Sequence, residues 1–178
     1  MKRVTIIAIL IIFFFFISQP ASANETAGYS AVLTNEVLGV MPPDKRVQIL
    51  EDFLKYYKSP LVNFAPFFIQ MADKYQLDWR LVPAITGVES SFGKHIPFNS
   101  YNAYGWDNGN YVFASWEESI EKVTAALKEK YINRGLGSPQ KIGPVYAPPS
   151  PTWASKVAYF IDRIENFNQS SKLPNLTI

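Results

Sequence analysis

From Asp44 onward the apolar residues fall mostly three and four positions apart, the spacing of one helix face. Val47, Leu50, Leu54 and Tyr57 define a first helix, opened by Asp44 and ended by Ser59-Pro60. Phe64, Phe67, Phe68, Met71 and Tyr75 define a second, with Asn63 placed to cap it and Pro66 tolerated in its first turn. A third carries Leu81, Ala84, Ile85, Val88 and Phe92 behind the capping residue Asp78, and Gly93 offers a stop where φ can turn positive. Ser115-Trp-Glu-Glu118 reads as a capping box, hydroxyl and carboxylate each satisfying a helix-start amide. The helix it opens bears Trp116, Ile120, Val123, Leu127 and Tyr131. Ser138-Pro139 begins a short helix, and Ser150-Pro151 a last one bearing Trp153, Val157, Phe160, Ile161, Ile164 and Phe167.

Residues 94–114 break this period. They are rich in Asn, Gly and aromatics, and Tyr104-Gly-Trp-Asp107 and Asn110-Tyr-Val-Phe113 flank Asn108-Gly109. Asn-Gly supplies the two positive φ values of a type I′ turn, so the segment predicts a small β-hairpin wing on a mainly α domain. The fold class expected is therefore mainly α, a helical bundle with a β-hairpin wing.

The first residues follow another pattern. Met1-Lys2-Arg3 is basic, Val4 to Ile17 contains Thr5 as its one polar residue, and Pro20 precedes Ala21-Ser22-Ala23. That order predicts a signal peptide at residues 1–23 with cleavage after Ala23, an uncleaved anchor being the alternative. Residues 24–43 predict a flexible leader, 44–167 the folded domain and 168–178 a loose tail.

Composition changes the picture in two ways. The export segment contains Lys2 and Arg3 and no acid, so it accounts for the whole formal charge of +2. The balanced remainder lacks the basic footprint of a nucleic-acid binder. With no Cys and only His95, disulfides, thiolate metal sites and His-rich metal sites are excluded, and no cofactor is expected.

The candidate chemistry centres on Glu89. It lies four residues after Ile85, so it borders the apolar stripe of the third helix near its end. A carboxylate held against apolar surface has its charged form disfavoured, which raises its pKa towards what a general acid needs. A solvated Glu at a helix end is the plain alternative. The wing adds Tyr101, Tyr104, Trp106 and Tyr111 interleaved with Asn99, Ser100 and Asn102. Rings that stack on sugar faces and short polar groups that bind hydroxyls together suit a glycan, although such rings also serve as a wing's own core.

At this point the chain resembles the lysozyme-like superfamily, most closely the bacterial wall-degrading glucosaminidases of glycoside hydrolase family 73 and the soluble lytic transglycosylases. The segments that carry the resemblance are Ile85-Thr-Gly-Val-Glu-Ser-Ser-Phe-Gly93, Asn102-Ala-Tyr-Gly-Trp106, Phe113-Ala-Ser-Trp-Glu-Glu-Ser-Ile120 and Tyr146-Ala-Pro-Pro-Ser-Pro-Thr-Trp153. What it implies is a lysozyme-like α+β fold and cleavage of the β-1,4 bond between N-acetylglucosamine and N-acetylmuramic acid in peptidoglycan. Glu89 would protonate the leaving oxygen through an oxocarbenium-like transition state. Tyr146 matches the tyrosine that lines the cleft of those glucosaminidases, although Pro replaces the Asp of their segment; packing over the last helix is its other reading.

Two-carboxylate hydrolysis needs a partner acid. Asp107 is the only acid in the wing and can serve as that group or as an ordinary turn residue. Glu117 and Glu118 belong to the helix start. Ser90 and Ser91 can orient the Glu89 carboxylate or end the helix by bonding backbone carbonyls. Lys94 and His95 stand near the expected cleft edge, where a cation can meet acidic peptide stems or simply be solvated. The leading expectation is a secreted or envelope-located glycosidase that acts as a monomer on peptidoglycan strands in wall turnover, with no nucleic-acid partner and no membrane after cleavage. A lytic transglycosylase, whose substrate's own 6-hydroxyl closes an anhydro ring, a non-catalytic glycan-binding domain and a docking module of an envelope machine stay open beside it.

Overall fold

The computed structural model describes residues 44–167. The expected export signal at 1–23, the leader at 24–43 and the tail at 168–178 lie outside the described residues. Six α-helices occur among them: α1 (Lys45–Tyr56), α2 (Ala65–Tyr75), α3 (Leu81–Ser90), α4 (Trp116–Lys130), α5 (Pro139–Tyr146) and α6 (Trp153–Glu165). The domain is mainly α, as the periodicity requires.

Several helix starts follow local chemistry. Asp44 accepts from Arg46 N and opens α1, and Asp78 accepts from Arg80 N ahead of α3. Ser115 accepts from Glu118 N, while Glu118 reaches back to Ala114 N, so the capping box forms one residue wider than expected. Asn63 differs: it lies in the 3₁₀ turn Val62–Phe64, and α2 has no side-chain cap. Pro66 occupies the first turn, where its missing N–H costs nothing.

α3 sits at the centre. It packs most extensively on α6 and also meets α4, while α1 and α2 pack together and α2 lies along α4. Leu81 through Gly87 and Ser90 are buried, so α3 is enclosed on nearly every side and only Val88 and Glu89 stay partly open. Close approach to α6 depends on Gly87, where a Cβ would stand 2.6 Å from the Phe92 ring and 3.0 Å from that of Phe160. Phe53, fully buried on α1, joins this aromatic core edge-on to Phe92; the Val47-Leu50-Leu54-Tyr57 stripe omits it.

α3 ends earlier than Gly93. Ser91, Phe92 and Gly93 take φ values of 51°, 62° and 81°, three left-handed residues in succession, and Phe92 N bonds back to Thr86 O. The reversal turns Phe92 into the core and releases the chain into the wing.

In the wing no strand forms. Asp107, Asn108 and Gly109 all have positive φ (51°, 53° and 87°), so the turn starts one residue early and winds as the 3₁₀ segment Trp106–Gly109. Two backbone bonds, Asn110 N to Asp107 O at 3.0 Å and Tyr111 N to Trp106 O at 3.4 Å, join its flanks. The Asn102 side chain fills the remaining positions, donating to Trp106 O and Tyr111 O and accepting from Trp106 N and Tyr104 N. An amide offers two donors and two acceptor lone pairs, so a single Asn substitutes for a short ladder.

Candidate active site

Glu89 occupies the last turn of α3, where the helix loses its enclosure. Trp153, the first residue of α6, donates its indole N–H to Glu89 Oε1 at 2.6 Å. Glu89 Oε2 faces Gly105, where a Cβ would lie 3.2 Å from it. Among the described residues Oε2 accepts no hydrogen bond, and it is not sealed from solvent. One oxygen is thus held and the other left available for a proton. Burial raises the Glu89 carboxyl above its ordinary range, and the Trp153 bond offsets this only in part.

Gly105 has φ 65°, a left-handed value that glycine adopts freely, and its bare Cα leaves the carboxylate room. Tyr146, at the end of α5, stacks on Trp153 with centroids 4.8 Å apart and donates its hydroxyl to Tyr104 O at 2.8 Å. Burial pushes the Tyr146 phenol well above its usual value, with the Glu89 charge adding to the rise. Tyr146 therefore stays a neutral donor, and it fixes both the wing and the Trp153 ring against the acid.

A cavity of about 310 Å³ opens beside this group. Tyr104, Gly105, Trp106 and Asp107 form its wing side, and Lys130, Tyr131 and Tyr146 its helical side. Glu89 is not in the wall itself, but Gly105 and Tyr146, which are, both approach it. Asp107 is the one carboxylate in the lining, and it is exposed.

The wing residues divide by what their side chains already do. Trp106 lines the cavity, packed edge-on to Phe113. Tyr104 borders it, yet its ring is buried and its hydroxyl points towards Ser119 without reaching a well-formed hydrogen bond; burial raises its pKa. Tyr101 packs edge-on to Trp116, and Tyr111 packs on Phe113 and accepts from Lys122 Nζ. Neither lines the cavity. Asn102, 2% exposed, has its amide committed to the wing backbone as described above. Ser90, also buried, accepts from Gly93 N and lies within donating distance of Thr86 O and Ala103 O, fastening the helix end to the wing. Ser91 caps α3 in the left-handed region and stays partly open. The structure thus sets Tyr146, Trp106 and Asp107 in one cavity wall, with Glu89 adjoining it through Gly105 and Tyr146. Asn102 and Ser90 bond to backbone and position the site without facing the cavity.

Sequence reasoning placed Trp153 only on an apolar face. A signal was present, because a buried indole N–H needs an acceptor and the matched Tyr146–Trp153 segment ends on that residue. Lys130 and Tyr131 were missed as lining residues, since helical period assigns faces within an element and not the space between elements. Lys94 and His95 are exposed and lie outside the cavity wall.

No protein-family model and no curated protein sequence matches the chain.

Proposed function

We propose that this protein is a lysozyme-like glycosidase that cleaves the β-1,4 bond between amino sugars of peptidoglycan, with Glu89 as the general acid. The observation that carries the reading is the Glu89 carboxyl: raised in pKa by burial, bonded at one oxygen by Trp153, open at the other, and adjoining an aromatic-walled cavity. A proton on Oε2 passes to the glycosidic oxygen as the sugar departs with oxocarbenium character, and Glu89 leaves as a carboxylate that the Trp153 N–H stabilises. Tyr146 holds Trp153 in place and keeps Gly105 close through its bond to Tyr104 O. Trp106 offers a ring on which a sugar face stacks.

Asp107 is the group placed to assist water or to stabilise the cation, because it alone among the lining residues carries a carboxylate. A transglycosylase needs no such group. The exported, wall-directed setting expected from residues 1–23 completes the reading.

The test is clearing of purified bacterial wall by the full chain, with mass analysis of the fragments. Glu89→Gln is expected to lower the rate by about 10²–10⁴-fold, the range for loss of a general acid. Equal clearing by the variant would end the acid role. Reducing-end products, lost along with activity in Asp107→Asn, identify a hydrolase; anhydro products, one water lighter and insensitive to Asp107→Asn, identify a transglycosylase.

A further inference from the structure

The cavity wall contains a cation that the proposed bond cleavage does not use. Lys130 ends α4, and its side chain crosses to the wing instead of folding back on the helix carbonyls, with Nζ 5.8 Å from the centre of the Trp106 ring. What sets Lys130 apart is its place in the cavity wall against Trp106, since Lys128 on the same helix also makes no ion pair among the described residues. Lys122 is paired with Glu118, and from the facing helix Lys74 is paired with Glu121. Lys130 makes no ion pair among the described residues, and its contact with Trp106, made at an exposed site, is a weak one. An ammonium ion held this lightly, on the rim of a cavity beside a stacking ring, is available to an anion.

A neutral amino-sugar chain offers that ammonium nothing but hydroxyls and amides. A muramyl glycan offers carboxylates, either the lactyl group on the sugar or the peptide stem attached to it. We propose that Lys130 is the specificity residue that selects carboxylate-bearing glycan over neutral glycan. The inference rests on the glycosidase reading above and sharpens it. It also moves the anion contact from Lys94 and His95, outside the cavity wall, to a residue within it.

The test is binding by the full chain carrying Glu89→Gln, so that ligand persists, at about 0.1 M salt where distant charges are screened. Three probes separate the sources: muramyl glycan with its peptide stems, the same glycan with stems removed to expose the lactyl carboxylate, and a neutral N-acetylglucosamine oligomer. Lys130→Gln is expected to weaken binding of a carboxylate-bearing probe about fivefold and leave the neutral oligomer unchanged, with Lys130→Arg close to the parent. Loss confined to the first probe assigns the contact to the stem carboxylates, loss confined to the second assigns it to the lactyl carboxylate that stem removal frees, and loss on both shows that either carboxylate serves. Lys128→Gln, the same change of charge two residues away and outside the wall, is expected to change nothing. An equal loss on the neutral oligomer, an equal loss with Lys128→Gln, or no loss at all overturns the proposal. If unmodified protein clears wall while Lys130→Gln binds all three probes like its parent, only this inference falls. If the unmodified protein neither clears wall nor binds glycan, it falls together with the glycosidase reading.

Discussion

The helical frame and the wing at residues 94–114 are held together by different means. In the frame, α3 is wrapped by apolar side chains from α4 and α6, and stability comes from many small contacts that no single residue controls. In the wing, few backbone groups pair with each other. Asn102 and Ser90, two buried polar side chains, supply the missing partners. A network of that kind is rigid when complete and fails when one member is lost. The site lies on the seam, with Glu89 and Trp153 from the frame and Gly105, Trp106 and Asp107 from the wing.

The sharpest way to break this contrast is a pair of truncations. Ile85→Ala removes a fully buried frame residue and is expected to cost about 2–5 kcal/mol of global stability, seen as a lower urea midpoint. Asn102→Ala orphans the four backbone groups it served, about 2–4 kcal/mol, and the loss is expected to fall on the wing. Far-UV circular dichroism should then stay near the parent while amide exchange accelerates across residues 99–114. Global unfolding by Asn102→Ala at the same denaturant as Ile85→Ala would show that frame and wing form one cooperative unit.

A smaller effect is expected at the seam. Trp153→Phe keeps a ring against Tyr146 but removes the donor to Glu89 Oε1, which favours the charged acid. Without it the proton is retained to higher pH. The alkaline limb of the kcat/KM profile should move upward, and the rate should fall about tenfold as the carboxylate loses its hold. An unmoved limb would mean that Trp153 acts only through packing.

The smallest effect concerns stability. The folded pKa of Glu89 lies above its unfolded value, so the folded state binds the proton more tightly. That contribution is complete below about pH 4.3, the ordinary glutamate value, and is lost as pH rises through the folded pKa. Glu89→Gln keeps an acceptor for Trp153 and has no charge to desolvate. Its melting temperature should match the parent in acid and exceed it at neutral pH. A parent that is the more stable of the two at neutral pH would refute the burial account.

Legibility in the sequence followed the range of each interaction. Asp44, Asp78 and Ser115 act on amides two or three residues away, so type and spacing announce them. Glu89 was legible because it borders a stripe within its own helix. The wing's turn was legible only in part. Asn108-Gly109 signals positive φ, but whether flanks pair as strands depends on what competes for their amides, and Asn102 competes successfully. A period-two reading has no way to register a side chain that takes the partner's place. The premature end of α3 belongs with this, since Ser91 and Phe92 enter the left-handed region to bury the Phe92 ring, a gain that exists only once α1 and α6 are present.

By itself the sequence determined the helices, their buried faces and the acid at the end of the most apolar one, because each depends on neighbours within a turn or two. Tertiary structure alone decided that Trp153, 64 residues away, holds that acid, that Gly105 leaves its second oxygen open, and that Lys130 shares a wall with Trp106. The reason is physical. A carboxylate's proton affinity and its reach are properties of the space around it, and that space is built by elements that meet only when the chain has folded.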